Sequence, residues 1–85
     1  MKISLKYFAA LREAVGIAQE QIDLPPDVTT VGGVRELLRA RGGVWAEALS
    51  SERAVRMAHN QVMCDGDTPV KEGAEVAFFP PVTGG

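Results

Sequence analysis

Glu75-Val76-Ala77-Phe78-Phe79-Pro80-Pro81-Val82-Thr83-Gly84-Gly85 is the stretch on which the fold turns. From Glu75 to Phe79 the pattern puts Val76 and Phe78 on one face and Ala77 with Phe79 on the other, the period of a strand. Pro80 and Pro81 have no N–H to give a ladder, so the strand stops at Phe79. This predicts a domain over residues 1–79 and a flexible tail over 80–85 that ends in Gly-Gly. Glycine adopts whatever backbone conformation a channel demands. Gly84 and Gly85 can therefore thread a passage too narrow for other dipeptides and deliver the Gly85 α-carboxylate. The dipeptide alone is a weak signal, and its surroundings decide its weight.

At the other end of the chain, Ile3, Leu5 and Tyr7 alternate with Lys2, Ser4 and Lys6, which predicts a half-buried strand. Phe8 falls on the polar side of that alternation. Ala9 to Val15 reads as a short helical turn or loop closed by Gly16. Gln19 to Leu24 alternates again and is ended by Pro25-Pro26-Asp27, so a hairpin with a long connection is expected. The clearest helix follows. Thr29 or Thr30 can cap it, Val31, Val34, Leu37 and Leu38 share a face, and Arg35, Glu36 and Arg39 look to solvent. Gly42-Gly43 is expected as its C-terminal cap. Gly32 and Gly33 each weaken the first turn by up to about 1 kcal/mol relative to alanine.

Val44 to Leu49 adds a second short helix with Trp45 and Leu49 toward the core. Ala54 to Met63 reads as a strand or two short strands broken near His59-Asn60, with turns at Asp65-Gly66-Asp67-Thr68-Pro69 and at Glu72-Gly73. The order is strand, strand, helix, one or two strands, final strand. A crossover through the helix sets the first and last strands side by side and parallel. The expected class is α+β: a β-grasp, ubiquitin-like domain with a mixed sheet of four to five strands on one main helix.

Composition limits the function. Eighty-five residues with a formal net charge of -2 make one small domain without the basic stripe that a nucleic-acid surface requires. No apolar run approaches the ~20 residues of a membrane span. The alternating N-terminus is unlike a signal peptide. Cys64 is the sole cysteine, which excludes an internal disulfide, and the expected setting is the cytoplasm.

Inside the domain no catalytic constellation stands out. His59 and Cys64 are the only candidates for a thiol–imidazole pair, and nothing in the sequence orients them. Asp65-Gly66-Asp67 lacks the further ligands of a calcium loop, and Gly32-Gly33 lacks the flanking residues of a phosphate loop. The chain is expected to be no enzyme on its own and to bind no metal or cofactor. The tail offers different chemistry. Condensation of its carboxylate with ATP makes an acyl-adenylate, from which a sulfur nucleophile displaces AMP to leave a thiocarboxylate, or an amine displaces AMP to leave an amide. The electrostatic stabilisers for either route must come from partner proteins. Strand parity supplies a docking surface: Phe8 and Phe79 point outward on neighbouring strands near the base of the tail, and Met63 joins them.

Asn60-Gln61, the turn Asp67-Thr68-Pro69-Val70 and the run from Glu72 to Gly85 strongly resemble the small subunit of molybdopterin synthase, the MoaD family. Phe8-Ala9-Ala10-Leu11-Arg12-Glu13 is similar to that family's exit from its first strand. His59 stands where the family often has Val. The resemblance implies that a MoeB-like adenylating enzyme uses ATP to activate Gly85, and that a sulfur donor converts it to a thiocarboxylate. The tail then enters a MoaE-like large subunit and passes sulfur to cyclic pyranopterin monophosphate, two transfers building the dithiolene that binds molybdenum. Gly85 is then the carrier and Gly84 its slim neighbour. Phe8, Arg12, Met63, Phe79, Pro80, Pro81, Val82 and Thr83 are the implied partner contacts, with Arg12 and Arg41 making rim salt bridges. The alternatives are a sulfur carrier for thiamine synthesis or tRNA thiolation, a ubiquitin-like protein modifier, and a binding module with an inert tail.

Overall fold

The structure is a computed structural model that describes residues 1–80. In chain order it contains β1 (Lys2–Tyr7), α1 (Ala9–Val15), β2 (Gln19–Asp23), α2 (Val31–Arg39), α3 (Val44–Ala48), β3 (Arg56–His59), β4 (Val62–Cys64) and β5 (Glu75–Phe79). The strands form one sheet in the order β2-β1-β5-β3-β4. The first and last strands pair in parallel, with Leu5 opposite Val76 and Tyr7 opposite Phe78, and all other pairings are antiparallel. This is the expected β-grasp.

One face of the sheet carries Ile3, Leu5, Tyr7, Val76 and Phe78, which are fully buried against Val31, Val34 and Leu38 of α2 and Leu49 beyond α3. Burial of each large apolar side chain contributes roughly 1.5–3 kcal/mol relative to leaving it in water. Tyr7 stacks on Phe78 at 6.2 Å and meets Trp45 edge-on at 5.3 Å.

The glycines at the start of α2 have a structural use. Val31 donates its N–H to Thr68 O (2.9 Å), Gly32 to Gly66 O (2.9 Å), and Gly33 to the Thr30 side-chain hydroxyl (3.0 Å). The exposed first turn of a helix normally lacks such partners. A Cβ at Gly32 would lie 2.9 Å from Gly66 O, so only glycine lets the 65–70 turn close over this helix end. The propensity cost of the two glycines is thereby offset by docking.

Two local expectations are corrected. α2 ends at Arg39 with Ala40, not a glycine, as its C-cap, and Gly43 caps the N-terminus of α3, with Gly42 and Gly43 both at positive φ. Arg35 does not face open solvent. Its guanidinium donates to Leu49 O (2.9 Å), Ser50 O and Arg53 O (3.1 Å), tying α2 to the segment that follows α3. The 54–63 segment resolves into β3 and β4, joined by Asn60 and Gln61, both at positive φ as a two-residue hairpin requires. Asn60 also pins the start of β5, since its side-chain oxygen accepts the Glu75 N–H at 2.9 Å and its own N–H donates to Glu75 O at 2.8 Å.

A polar staple ties the β1–β2 edge to the segment between α2 and α3. Arg41 clasps both Glu20 carboxylate oxygens (2.9 and 3.0 Å), Tyr7 donates its hydroxyl to Glu20 Oε2 (2.8 Å), and the Arg41 guanidinium lies 4.4 Å over the Trp45 ring. Burial, then the Glu20 hydrogen bond, hold the Tyr7 hydroxyl well above its ordinary pKa, so it stays a donor. The Arg41 contact holds Glu20 below the ordinary glutamate value. A depressed folded value means stabilisation that is complete above the unfolded value of about 4.3 and is lost as pH falls through the folded one. Glu20→Gln is therefore expected to cost about 1 kcal/mol at pH 7, a figure already reduced for solvent screening. The gap between wild type and variant should narrow as pH falls below about 4.3 toward the depressed folded value, as read by urea unfolding across that range.

Candidate functional site: the outer sheet face at the base of the tail

Among the described residues no helix covers the second face of the sheet. Register places Lys6, Ala77, Ala58 and Met63 on it in a row across β1, β5, β3 and β4. Phe8, one residue past β1, and Phe79, the last of β5, stand on the same face and stack with ring centroids 4.6 Å apart and planes 5° from parallel. The Phe8 N–H donates to Phe78 O (3.2 Å), which fixes the first ring beside the second. Phe8 remains 38% exposed and Met63 52%, while Ala77 is buried between them. The small side chains of Ala58 and Ala77 leave a shallow apolar depression walled by the two rings and Met63 and edged by Lys6, Gln61 and Glu75. Lys6 and Glu75 neutralise each other across 3.1 Å.

Around this platform the candidate residues separate. Arg12 lies exposed on α1 and makes no ion pair with a described residue. Arg41 is not at the rim. Its partner Glu20 stands opposite Leu5 in register, on the helix-covered side of the sheet, and the guanidinium is already satisfied there. Pro80 lines a narrow apolar crevice with Leu11, Ala14, Ala48 and Val55, so the chain leaves β5 at the seam between the outer face and the helix layer. Pro81, Val82, Thr83, Gly84 and Gly85 lie outside the described residues.

His59 stands opposite Val62 and Cys64 opposite Met57, so the two sit at different register positions, and Cys64 packs against the core. Asp65 closes a turn by accepting the Asp67 N–H on its carboxylate (2.9 Å). Among the described residues no three His, Cys, Asp or Glu side chains are grouped to hold a metal. No helix among them is long and apolar enough to cross a membrane.

Sequence reasoning missed Arg56, Ala58 and Gln61 at this surface. The signal was present in the spacing of Arg56 and Ala58. It became usable only with the pairing of β3 against β5, which puts Arg56 opposite Phe79.

A family model described as the ThiS family matches residues 5–85. The chain belongs to the ThiS family. Two relatives bear the name molybdopterin synthase sulfur carrier subunit. The Haemophilus influenzae protein is 41% identical over 83 residues, covering 98% of this chain and 99% of its own. The Escherichia coli protein is 40% identical with the same coverage. The MoaD resemblance read from the residues therefore extends over nearly the whole chain. Among solved ThiS-like folds, SAMP1 from Haloferax volcanii superposes with a TM-score of 0.75 at 26% identity, covering 100% of both chains.

Proposed function

We propose that this chain is the sulfur-carrier subunit of a molybdopterin synthase. The observation that carries the proposal is the 40–41% identity, over nearly full length, to two ThiS-family relatives of that name. The exposed Phe8–Phe79 platform beside the last strand supports it as a docking surface for successive partners.

In this reading residues 80–85 serve as the arm and 1–79 as the body that partners grip. The Gly85 carboxylate attacks the α-phosphorus of ATP in the site of a MoeB-like enzyme and expels pyrophosphate. Hydrosulfide released by a sulfur donor then attacks the acyl carbon. The C–O bond to AMP breaks, AMP leaves with the former carboxylate oxygen, and a thiocarboxylate remains. In the large, MoaE-like subunit the thiocarboxylate sulfur attacks a carbon of cyclic pyranopterin monophosphate and displaces an oxygen substituent from it. Water then cleaves the acyl C–S bond of the resulting thioester, which leaves the sulfur on the substrate and restores the carboxylate for a new round of adenylation. Two transfers complete a dithiolene. The domain supplies position, and the partner enzymes supply acids, bases and charge stabilisation. The setting is the cytoplasm, where Cys64 stays a thiol.

The test is the intact mass of the chain after incubation with an adenylating enzyme, ATP and a sulfur source, beside a Gly85-deleted control. Replacement of one oxygen by sulfur, absent from the control, is expected. An unchanged mass with an adenylating enzyme shown to be active overturns the proposal. Capture of the same adenylate by lysine amines of other proteins is the competing reading, prompted by the fold shared with SAMP1. Isopeptide-linked bands that survive denaturation would favour it.

A further inference from the structure

We propose that Arg56 is the electrostatic guide of the docking surface: it pairs with a carboxylate at the rim of the partner's apolar pocket and orients the Phe8–Phe79 platform as it enters. This rests on the carrier reading above and adds to it a residue and a partner chemistry. Paired residues of antiparallel strands project to the same face. Arg56 stands opposite Phe79, so it shares the outer face with the stacked rings, at the end of the sheet from which the tail departs. It is exposed, and no carboxylate or carbonyl among the described residues accepts a hydrogen bond from it.

The other cations of that face are paired or distant. Lys6 is held by Glu75 at 3.1 Å, and Lys2 stands opposite Asp23 at the far end of the sheet. Arg39, Arg41 and Arg53 have acidic partners within the chain, and Arg35 is spent on three carbonyls. Among the described residues two guanidinium groups of this chain of net charge -2 lack an acidic or carbonyl partner, Arg12 on α1 and Arg56, and of these Arg56 stands on the sheet face beside the rings. The complementary partner surface is an apolar pocket with a carboxylate at its edge. Arginine's planar fork gives such a contact direction as well as charge. A rim charge of this kind acts chiefly on the rate of association and is weakened by salt.

The experiment measures association and dissociation rates of the full chain with the large molybdopterin synthase subunit of the same organism, at low and high salt. Wild type is compared with Arg56→Ala and Arg56→Glu, and the thermal midpoint of each variant is recorded. Arg56→Glu is expected to slow association about tenfold at low salt, Arg56→Ala about threefold, with the curves converging at high salt. Dissociation rates should change little, and thermal midpoints should not move. Equal association rates for all three proteins at low salt would overturn the inference while leaving the carrier reading intact. Failure of the wild type itself to bind the large subunit would overturn both.

Discussion

A chain extended by one residue past Gly85 is expected to lose sulfur transfer altogether while keeping its fold. The extension turns the Gly85 carboxylate into an amide, which has no oxyanion to attack ATP. It also carries the new carboxylate about 3.3–3.6 Å further out. Misplacement of a reacting group by about 1 Å is enough to cost on the order of a hundredfold. The last strand ends at Phe79 and the core lies wholly before it, so thermal unfolding should be unchanged. Intact mass reads thiocarboxylate formation, and cofactor yield with the large subunit reads transfer. An extended variant that keeps its extra residue and still delivers sulfur would contradict the mechanism.

Phe79→Asp is expected to weaken binding of the large subunit by about 2–4 kcal/mol, roughly 30- to 700-fold in Kd. An aromatic at the centre of an apolar platform is the kind of residue that dominates interface energetics, and a carboxylate there would enter the partner's pocket unpaired. Folding should suffer less, by about 1 kcal/mol, because Phe79 is only half-buried and loses chiefly its stacking on Phe8. Phe78→Ala supplies the contrast. That ring is fully buried, and its removal should cost stability by about 3–5 kcal/mol. Calorimetric titration and denaturant unfolding of the two variants separate the roles. Comparable losses in binding and folding for Phe79→Asp would make Phe79 a core residue instead.

Much of this division is legible in the amino-acid sequence alone. Alternation marks Ile3, Leu5, Tyr7, Val76 and Phe78 as inward and leaves Phe8 and Phe79 outward, because strand side chains strictly alternate. Helical period likewise picks out Val31, Val34 and Leu38. Arginines read poorly. Arg35, Arg41 and Arg56 look alike in the sequence, yet one binds three backbone carbonyls, one clasps Glu20, and one stands beside Phe79 with no acidic partner among the described residues. A long flexible side chain takes its role from whatever the fold brings within reach, and those partners lie 14 to 21 positions away in the chain.

What the sequence determined by itself was the hydrophobic alternation, the stop at Pro80, a helix cap at Thr29 or Thr30 and the outward parity of the two phenylalanines. Each follows from covalent structure and local period, which do not depend on distant residues. Tertiary structure decided the rest. It set the close approach of Gly32 to Gly66, the tie between Arg41 and Glu20, the assembly of Phe8, Phe79 and Met63 into one surface, and the place of Arg56 beside it. These depend on strand register and on segments meeting across the sheet, and register is settled only when the whole core packs at once.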